Sequence, residues 1–503
     1  MILEPQAKLT LDELESLASS KKGLELSKRA RQKLDEGSKI VRKLAQSKRP
    51  IYGVNTGFGR LAQIKISEKD LVALQINLLR SHACGIGAAT SASVVRRLLL
   101  LRAFSLGKGA SGISSALVER HLEYLEKNLI PFIPEQGSVG ASGDLAPLAH
   151  LGLTFMGEGE FWCDGKNFSA AEVLKKYKMQ AISIGPKEGL ALVNGTQFSL
   201  ALAMEVRTQL RDLLPWMELA AALSIEAHQA TAAVFDPRLH KLKAHSQQQA
   251  VAARFVKMLA NSKHMNSHKD CDAVQDSYSF RCIPQVLGPA YSLIEKAEEL
   301  LTDEANSVSD NPILICETKE LLSGGHFHAQ SVSFAADLMS IAMTTIGNLT
   351  ERRIDQLMNP LTTRLSAFLA TKPGVESGMM ILQTAAAALA SENKTLAHPA
   401  SVDTIPTNGN QEDHVSMAPW ASRKALMILS NLRRIVAAEV VAGVRGCVLE
   451  STKSGISYST FVEKSLSMFS ENIPELFLAG DREFSKDWQK VEKFIGDSKS
   501  PRV

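Results

Sequence analysis

No C-x-x-C pair occurs among the six cysteines, Cys84, Cys163, Cys271, Cys282, Cys316 and Cys447, and no small-domain spacing links them. Scattered thiols predict a cytoplasmic protein with reduced cysteines. The chain also lacks a run of one charge. Its 57 basic and 53 acidic residues are mixed along 503 positions for a net charge of +4, which speaks against nucleic acid as a partner. Glu4, Lys8, Asp12 and Glu13 interrupt the N-terminus where a signal peptide needs unbroken apolar residues, and no apolar run is expected to span a membrane. Nucleotide and zincin signatures are missing: there is no G-x-x-x-x-G-K-[ST], no G-x-G-x-x-G after a strand and no H-E-x-x-H. His326 and His328 in "GGHFHAQ", and His264, His268 and Cys271 in "KHMNSHKDC", have spacings a metal could use. Neither group offers a full ligand set, so no metal is expected.

What is present is a chain of near-average composition, 45% hydrophobic with 32 Gly and 18 Pro, long enough for a large core and more than one structural region. Over residues 1–135 helical stretches such as "DLVALQINLLRSHA" alternate with glycine-rich breaks at "YGVNTGFGRL" and "GKGASGIS". Asp164-Gly165, between flanks holding Phe161 and Phe168, predicts a small surface hairpin. Beyond residue 197 the pattern turns to long helices. Leu202, Val206, Leu210, Leu213, Met217 and Ala221 recur at helical spacing around Pro215, a possible kink, and similar runs cover roughly 285–303, 331–358, 376–394 and 417–450. The expected architecture is mainly α: an N-terminal irregular α-rich domain over 1–197, then a long-helix bundle and C-terminal helical region over 198–503 whose apolar helices need partners.

One stretch, "EQGSVGASGDLAPLAH" (135–150), has a permissive backbone and no obvious catalytic side chain. Its plainest reading is a helix cap, with Asp144 as N-cap and Pro147 in the first turn. Ala141-Ser142-Gly143 alone proves little, since chance supplies such a tripeptide at on the order of one position in a few thousand. Gly137, Gly140 and Gly143, however, permit the close backbone approach that cyclisation needs. Attack of the Gly143 nitrogen on the Ala141 carbonyl, with loss of water from Ser142, would yield a five-membered ring with an exocyclic alkene. The following helix N-terminus would stabilise negative charge developing there.

"GSVGASGDLAPLAH" resembles the signature of the methylidene-imidazolone-dependent aromatic amino acid ammonia-lyase and aminomutase family. So do, in order, "YGVNTGFG", "RSHACGIG", "LALVNGTQ", "VQDSYSFRCIPQVLG", "SDNP" and "NQEDHVSM", which together cover most of the chain. The resemblance implies an ammonia-lyase-like fold and a 4-methylidene-imidazol-5-one formed autocatalytically from Ala141, Ser142 and Gly143, with no metal and no nucleotide. It also implies a homotetramer whose active sites are shared between subunits. Within the family, Ser81-His82 and Glu412 resemble the branch that acts on histidine. A carboxylate can pair with an imidazole N–H, and a phenyl ring cannot return that bond. The implied activity is deamination of L-histidine to trans-urocanate and ammonia, the first step of histidine degradation. A tyrosine or phenylalanine ammonia-lyase, a 2,3-aminomutase, or a non-catalytic helical scaffold with an anion-binding turn remain alternatives.

By the same resemblance Tyr52 is the β-proton base, and a phenol in that role calls for nearby positive dipoles that lower its pKa. Tyr278 assists proton transfer or ring formation. Arg281 binds the α-carboxylate bidentately, Asn194 and Gln275 are amide contacts to the electrophile and substrate carboxylate, Phe327 walls the ring pocket, and His82 with Glu412 recognises the imidazole. His326 stands where the family more often has Asn, and Gln330 where many histidine-specific members have Glu. Both adjoin Phe327 and bear on pocket polarity.

Overall fold

The computed structural model describes residues 1–267 and 274–501, which fold into two compact units. The first comprises Met1–Glu205, Ala297–Asp337 and Pro399–Arg423, and the second Val206–Lys296, Leu338–His398 and Lys424–Val503. The units therefore interleave along the chain, where the sequence suggested one cut at 197/198. Four of the boundaries fall inside the helices Gln197–His228, Ile283–Ala305, Gln330–Met358 and Ala418–Ser454. These long helices lie close to the runs expected from periodicity. Pro215 does not interrupt the first of them, and Leu202, Val206, Leu210, Leu213, Met217 and Ala221 are all buried.

In the first unit the helix Ala92–Gly107, mostly apolar but carrying Arg96, Arg97 and Arg102, is buried from Leu98 to Gly107, so it forms the centre against which Leu11–Ser19 and Ser115–Glu126 pack. Leu11–Ser19 opens with a capping box in which Thr10 and Glu13 exchange side-chain and backbone bonds. Leu71–His82, Leu145–Phe155 and Glu188–Val193 pack on one another and carry much of the site described below. The expected hairpin is present: Glu160–Cys163 pairs antiparallel with Lys166–Ser169 through Asp164 and Gly165, both at positive φ.

The second unit is helical, with Trp216 packed edge-on to Phe494 and tilted against Phe469. A buried ion pair, Arg353 to Glu439, is completed by Ser224 Oγ donating to Glu439 Oε1 at 2.9 Å. One described helix, Gln330–Met358, has the length and composition to cross a membrane, which corrects the expectation that no apolar run would. Of its most apolar window 67% is buried inside the protein, where Ala335, Ala336, Met339, Met343 and Ile346 pack. Cys84, Cys163, Cys282, Cys316 and Cys447 are free thiols, and Cys271 lies outside the described residues.

Candidate active site

The stretch Gly137–Gly143 crosses the first unit as an irregular loop. Val139 and Ala141 pack on Ala336, Ala400, Val415, Met417 and Ala421, and the Met417 N–H donates to the Val139 carbonyl at 2.9 Å. Ser142 then takes φ +53°, a left-handed conformation that costs a non-glycine residue about 1–2 kcal/mol, and Gly143 follows at φ +75°. Gly143 pairs with Gly195 in an isolated parallel bridge, and the Asp144 N–H donates to the Gly195 carbonyl at 2.8 Å. A Cβ on Gly143 would overlap that carbonyl, so only glycine fits.

The helix Leu145–Phe155 starts immediately afterwards, but Asp144 does not cap it. Its carboxylate turns inward, where Oδ2 accepts from the Ser199 N–H at 2.8 Å and the Ser199 hydroxyl at 3.0 Å. Burial pushes the Asp144 carboxyl up to about 7 against these hydrogen bonds. The capping role expected of Asp144 is thus replaced by a buried link between the loop and the helix Gln197–His228.

A cavity of about 590 Å³ opens beside Ser142, lined among others by Tyr52, Phe58, Leu78, His82, Asn194, Asn311, Phe327, Asn408 and Glu412. Six of the residues singled out in the sequence therefore meet here. Ser142 Oγ donates to Glu412 Oε1 at 3.1 Å, and Thr407 Oγ1 donates to Glu412 Oε2 at 2.7 Å. His82 ends its helix with Nδ1 3.1 Å from the Ser81 hydroxyl. Burial holds its imidazole below the ordinary range, opposed by the Leu78 carbonyl and the Glu412 charge. Asn194 Nδ2 donates to the Asn311 carbonyl at 3.0 Å, while its buried Oδ1 has no partner, an acceptor kept open beside the loop.

Tyr52 runs counter to expectation. Burial raises its phenol, the Gly59 N–H donating at 3.4 Å lowers it less, and the Glu412 charge raises it further. The positive dipole is present, but desolvation outweighs it. His326 and Gln330 adjoin Phe327 in the chain but are not among the cavity's lining residues. Gln330 Nε2 donates to the Ser401 carbonyl at 3.2 Å, and His326 is exposed beside Gly324.

Gln275, Tyr278 and Arg281 belong to the second unit and are not among the cavity's lining residues. Tyr278–Arg281 is a single helical turn, so the two side chains share a face: the Arg281 guanidinium lies 4.9 Å from the Tyr278 ring centroid and donates to Gln275 Oε1. Of the histidine and cysteine candidates, His264 is buried in the second unit with Glu226 and Glu450 each 3.6 Å from a ring nitrogen, a core position. His268 and Cys271 lie outside the described residues. His328 stacks parallel on His414 at 5.7 Å. Among the described residues no group of three or more His, Cys, Asp or Glu is arranged to hold a metal.

Sequence reasoning passed over Asn311, Asn408 and Arg102. "SDNP" was a visible signal for Asn311, whereas Arg102, one of three arginines in the helix Ala92–Gly107, carried none.

A mainly α fold that presents an Ala-Ser-Gly loop at a helix N-terminus, facing a half-buried phenol, imidazole and carboxylate, defines an amino acid lyase. The chain belongs to the aromatic amino acid lyase family, whose model matches residues 9–469, and is a carbon–nitrogen lyase. Over 496 residues it is 41% identical to the histidine ammonia-lyase of Vibrio cholerae, covering 98% of this chain and 96% of that one. The crystal structure of histidine ammonia-lyase from Trypanosoma cruzi superposes with a TM-score of 0.88 at 36% identity, covering 99% and 93% of the two chains. Tyrosine aminomutase from Streptomyces globisporus superposes with a TM-score of 0.90 at 31% identity, covering 98% and 96%.

Proposed function

We propose that this chain deaminates L-histidine to trans-urocanate and ammonia. The observation that carries the reading is the single cavity shared by Ser142, His82 and Glu412, in which a carboxylate stands 3.1 Å from the Ser142 hydroxyl. The left-handed backbone at Ser142, the glycine-only contact at Gly143 and the unpartnered Asn194 Oδ1 fit a 4-methylidene-imidazol-5-one made from Ala141-Ser142-Gly143. Once formed, that ring supplies an electrophilic methylidene carbon that turns the substrate amine into a better leaving group.

The chain's own residues do the rest. Glu412 accepts from an imidazole N–H of the substrate and His82 offers it a second, uncharged contact, bonds that an apolar ring could not return. Tyr52 takes the β-proton. Burial holds the phenol up and the Glu412 charge adds a smaller part, which an imidazole N–H engaging Glu412 offsets. Phe327 walls the pocket, and Asn194 aligns the electrophile.

Arg281, Gln275 and Tyr278 hold the substrate carboxylate and aid proton transfer from another copy within a homotetramer. Sedimentation should therefore give a tetramer, and a monomer with full activity would contradict shared sites.

The deciding assay presents L-histidine, L-tyrosine and L-phenylalanine separately to the purified protein. Urocanate and ammonia from histidine alone are expected. Coumarate, cinnamate or a β-amino acid would overturn the substrate assignment.

A further inference from the structure

Among the buried charges of the first unit that take no part in the proposed chemistry are Arg102, Asp144, Lys187 and Asp310, none more than 3% exposed. Lys187 Nζ and Asp310 Oδ2 pair at 2.6 Å. Arg102 has no such single partner. From the centre of the helix Ala92–Gly107 its Nη1 donates to the Asn194 carbonyl at 2.9 Å and to Gln197 Oε1 at 2.7 Å, and its Nη2 donates to the Ala191 carbonyl. These acceptors are the end of the helix Glu188–Val193 and the turn after it, where carbonyls otherwise lack partners and a cation is favoured. Burying a guanidinium costs several kcal/mol unless geometry and hydrogen bonds compensate, so three acceptors on one short turn mark a specific use of the charge. Burial brings the guanidinium down to about 10, and it remains charged at neutral pH.

That turn has a second face. The Gly195 carbonyl accepts from the Asp144 N–H at 2.8 Å and Gly195 bridges Gly143, while Arg102 grips residues 194 and 197 from behind. Asn194 is fixed at both ends, its backbone by Arg102 and its side chain by the Asn311 carbonyl. Gln197 in turn donates to Ser309 Oγ at 2.5 Å.

We propose that Arg102 is a positioning residue for the Ala141-Ser142-Gly143 loop: by rigidifying the 194–197 turn it holds the Gly195 carbonyl that bends the chain so the Gly143 nitrogen can reach the Ala141 carbonyl carbon. The inference rests on the cyclised loop proposed above. In that closure a bond forms between the Gly143 nitrogen and the Ala141 carbon. The Ala141 oxygen leaves as water with the protons of the Gly143 and Ser142 amides, giving a C=N bond. A second water takes the Ser142 hydroxyl and its Cα proton, leaving the alkene. No oxidant or co-reactant is needed. Without Arg102 the turn loses three hydrogen bonds, and the bent loop has no fixed surface to close against.

Intact mass tests this independently of turnover. The wild-type chain should lack two water molecules' worth of mass. Arg102→Lys keeps the charge but cannot span the three acceptors, and it should yield folded protein, judged by far-UV circular dichroism, in which most chains retain full mass. Gln197→Met removes one acceptor while leaving the arginine in place. It should give a smaller full-mass fraction, and it carries the comparison if Arg102→Lys does not fold. A merely structural arginine would lower the melting temperature yet leave the folded variants as fully dehydrated as wild type, and that result overturns the inference while sparing the proposed function. Full mass in the wild-type chain would instead sink the cyclised loop itself.

Discussion

At the scale of single residues, the site places one carboxylate where it serves two partners. Glu412 Oε1 accepts from Ser142 in the uncyclised loop, and Oε2 accepts from Thr407, a bond that keeps the carboxylate in place once the Ser142 hydroxyl has left. Glu412→Gln keeps the shape but loses the charge, and should lower kcat/KM for histidine by about 10–100-fold, the worth of a charge-assisted bond. An unchanged value in steady-state kinetics would remove Glu412 from substrate recognition. Ser142→Ala should abolish urocanate formation while leaving the circular dichroism spectrum intact, and retained turnover would contradict the electrophile. Tyr52 supplies a pH test. Because burial and the Glu412 charge raise its phenol, the basic form is scarce at neutrality and grows as pH rises. Turnover should therefore climb on the alkaline side of pH 7, and Tyr52→Phe should both lower it and flatten the profile. A flat wild-type profile would assign the proton abstraction elsewhere. The residue types were legible in the sequence, but the sign of the Tyr52 shift was not, since desolvation depends on neighbours far along the chain.

At the scale of elements, the Gly143–Gly195 contact ties the loop to the turn preceding the helix Gln197–His228. A side chain on Gly195 would meet Gln197 Oε1 and Arg102 Nη1, so Gly195→Ala should cost about 1–3 kcal/mol of stability and reduce turnover as well. Thr10→Ala offers the contrast. It breaks the capping box of Leu11–Ser19 for about 1 kcal/mol and should leave KM unchanged. Urea unfolding paired with kinetics on both variants separates the two, and equal activity loss would deny the turn a special role. The long helices and the Asp164-Gly165 hairpin could be read directly, because helical periodicity and a two-residue turn are local properties. Asp144 shows where local reasoning fails. It occupies the cap position, but a partner 55 residues away, Ser199, draws its carboxylate inward.

At the scale of the whole molecule, each unit holds a histidine kept neutral by burial. His121 is pushed from 6.5 down to about 3, and His228, with Arg364 adding to the effect, to about 4. Unfolded, each takes a proton near its ordinary value, while folded it resists. The stability each contributes is thus complete above about pH 6.5 and is lost as pH falls below it, by up to about 1.4 kcal/mol per pH unit. Denaturation midpoints should drop between about pH 7 and about pH 5. His121→Phe, which removes one of the two groups, should shallow that drop for the first unit, and an identical slope would rule its burial out as a cause. The sequence by itself determined the helical class and the family, because periodicity and an ordered series of motifs survive without a third dimension. Only the tertiary structure decided which side chains face the cavity, how far burial moves their charges, and that an arginine in a mostly apolar helix stands behind the reactive loop. Burial and hydrogen-bond partners are properties of residues far apart in the chain, and they exist only once the backbone has brought those residues together.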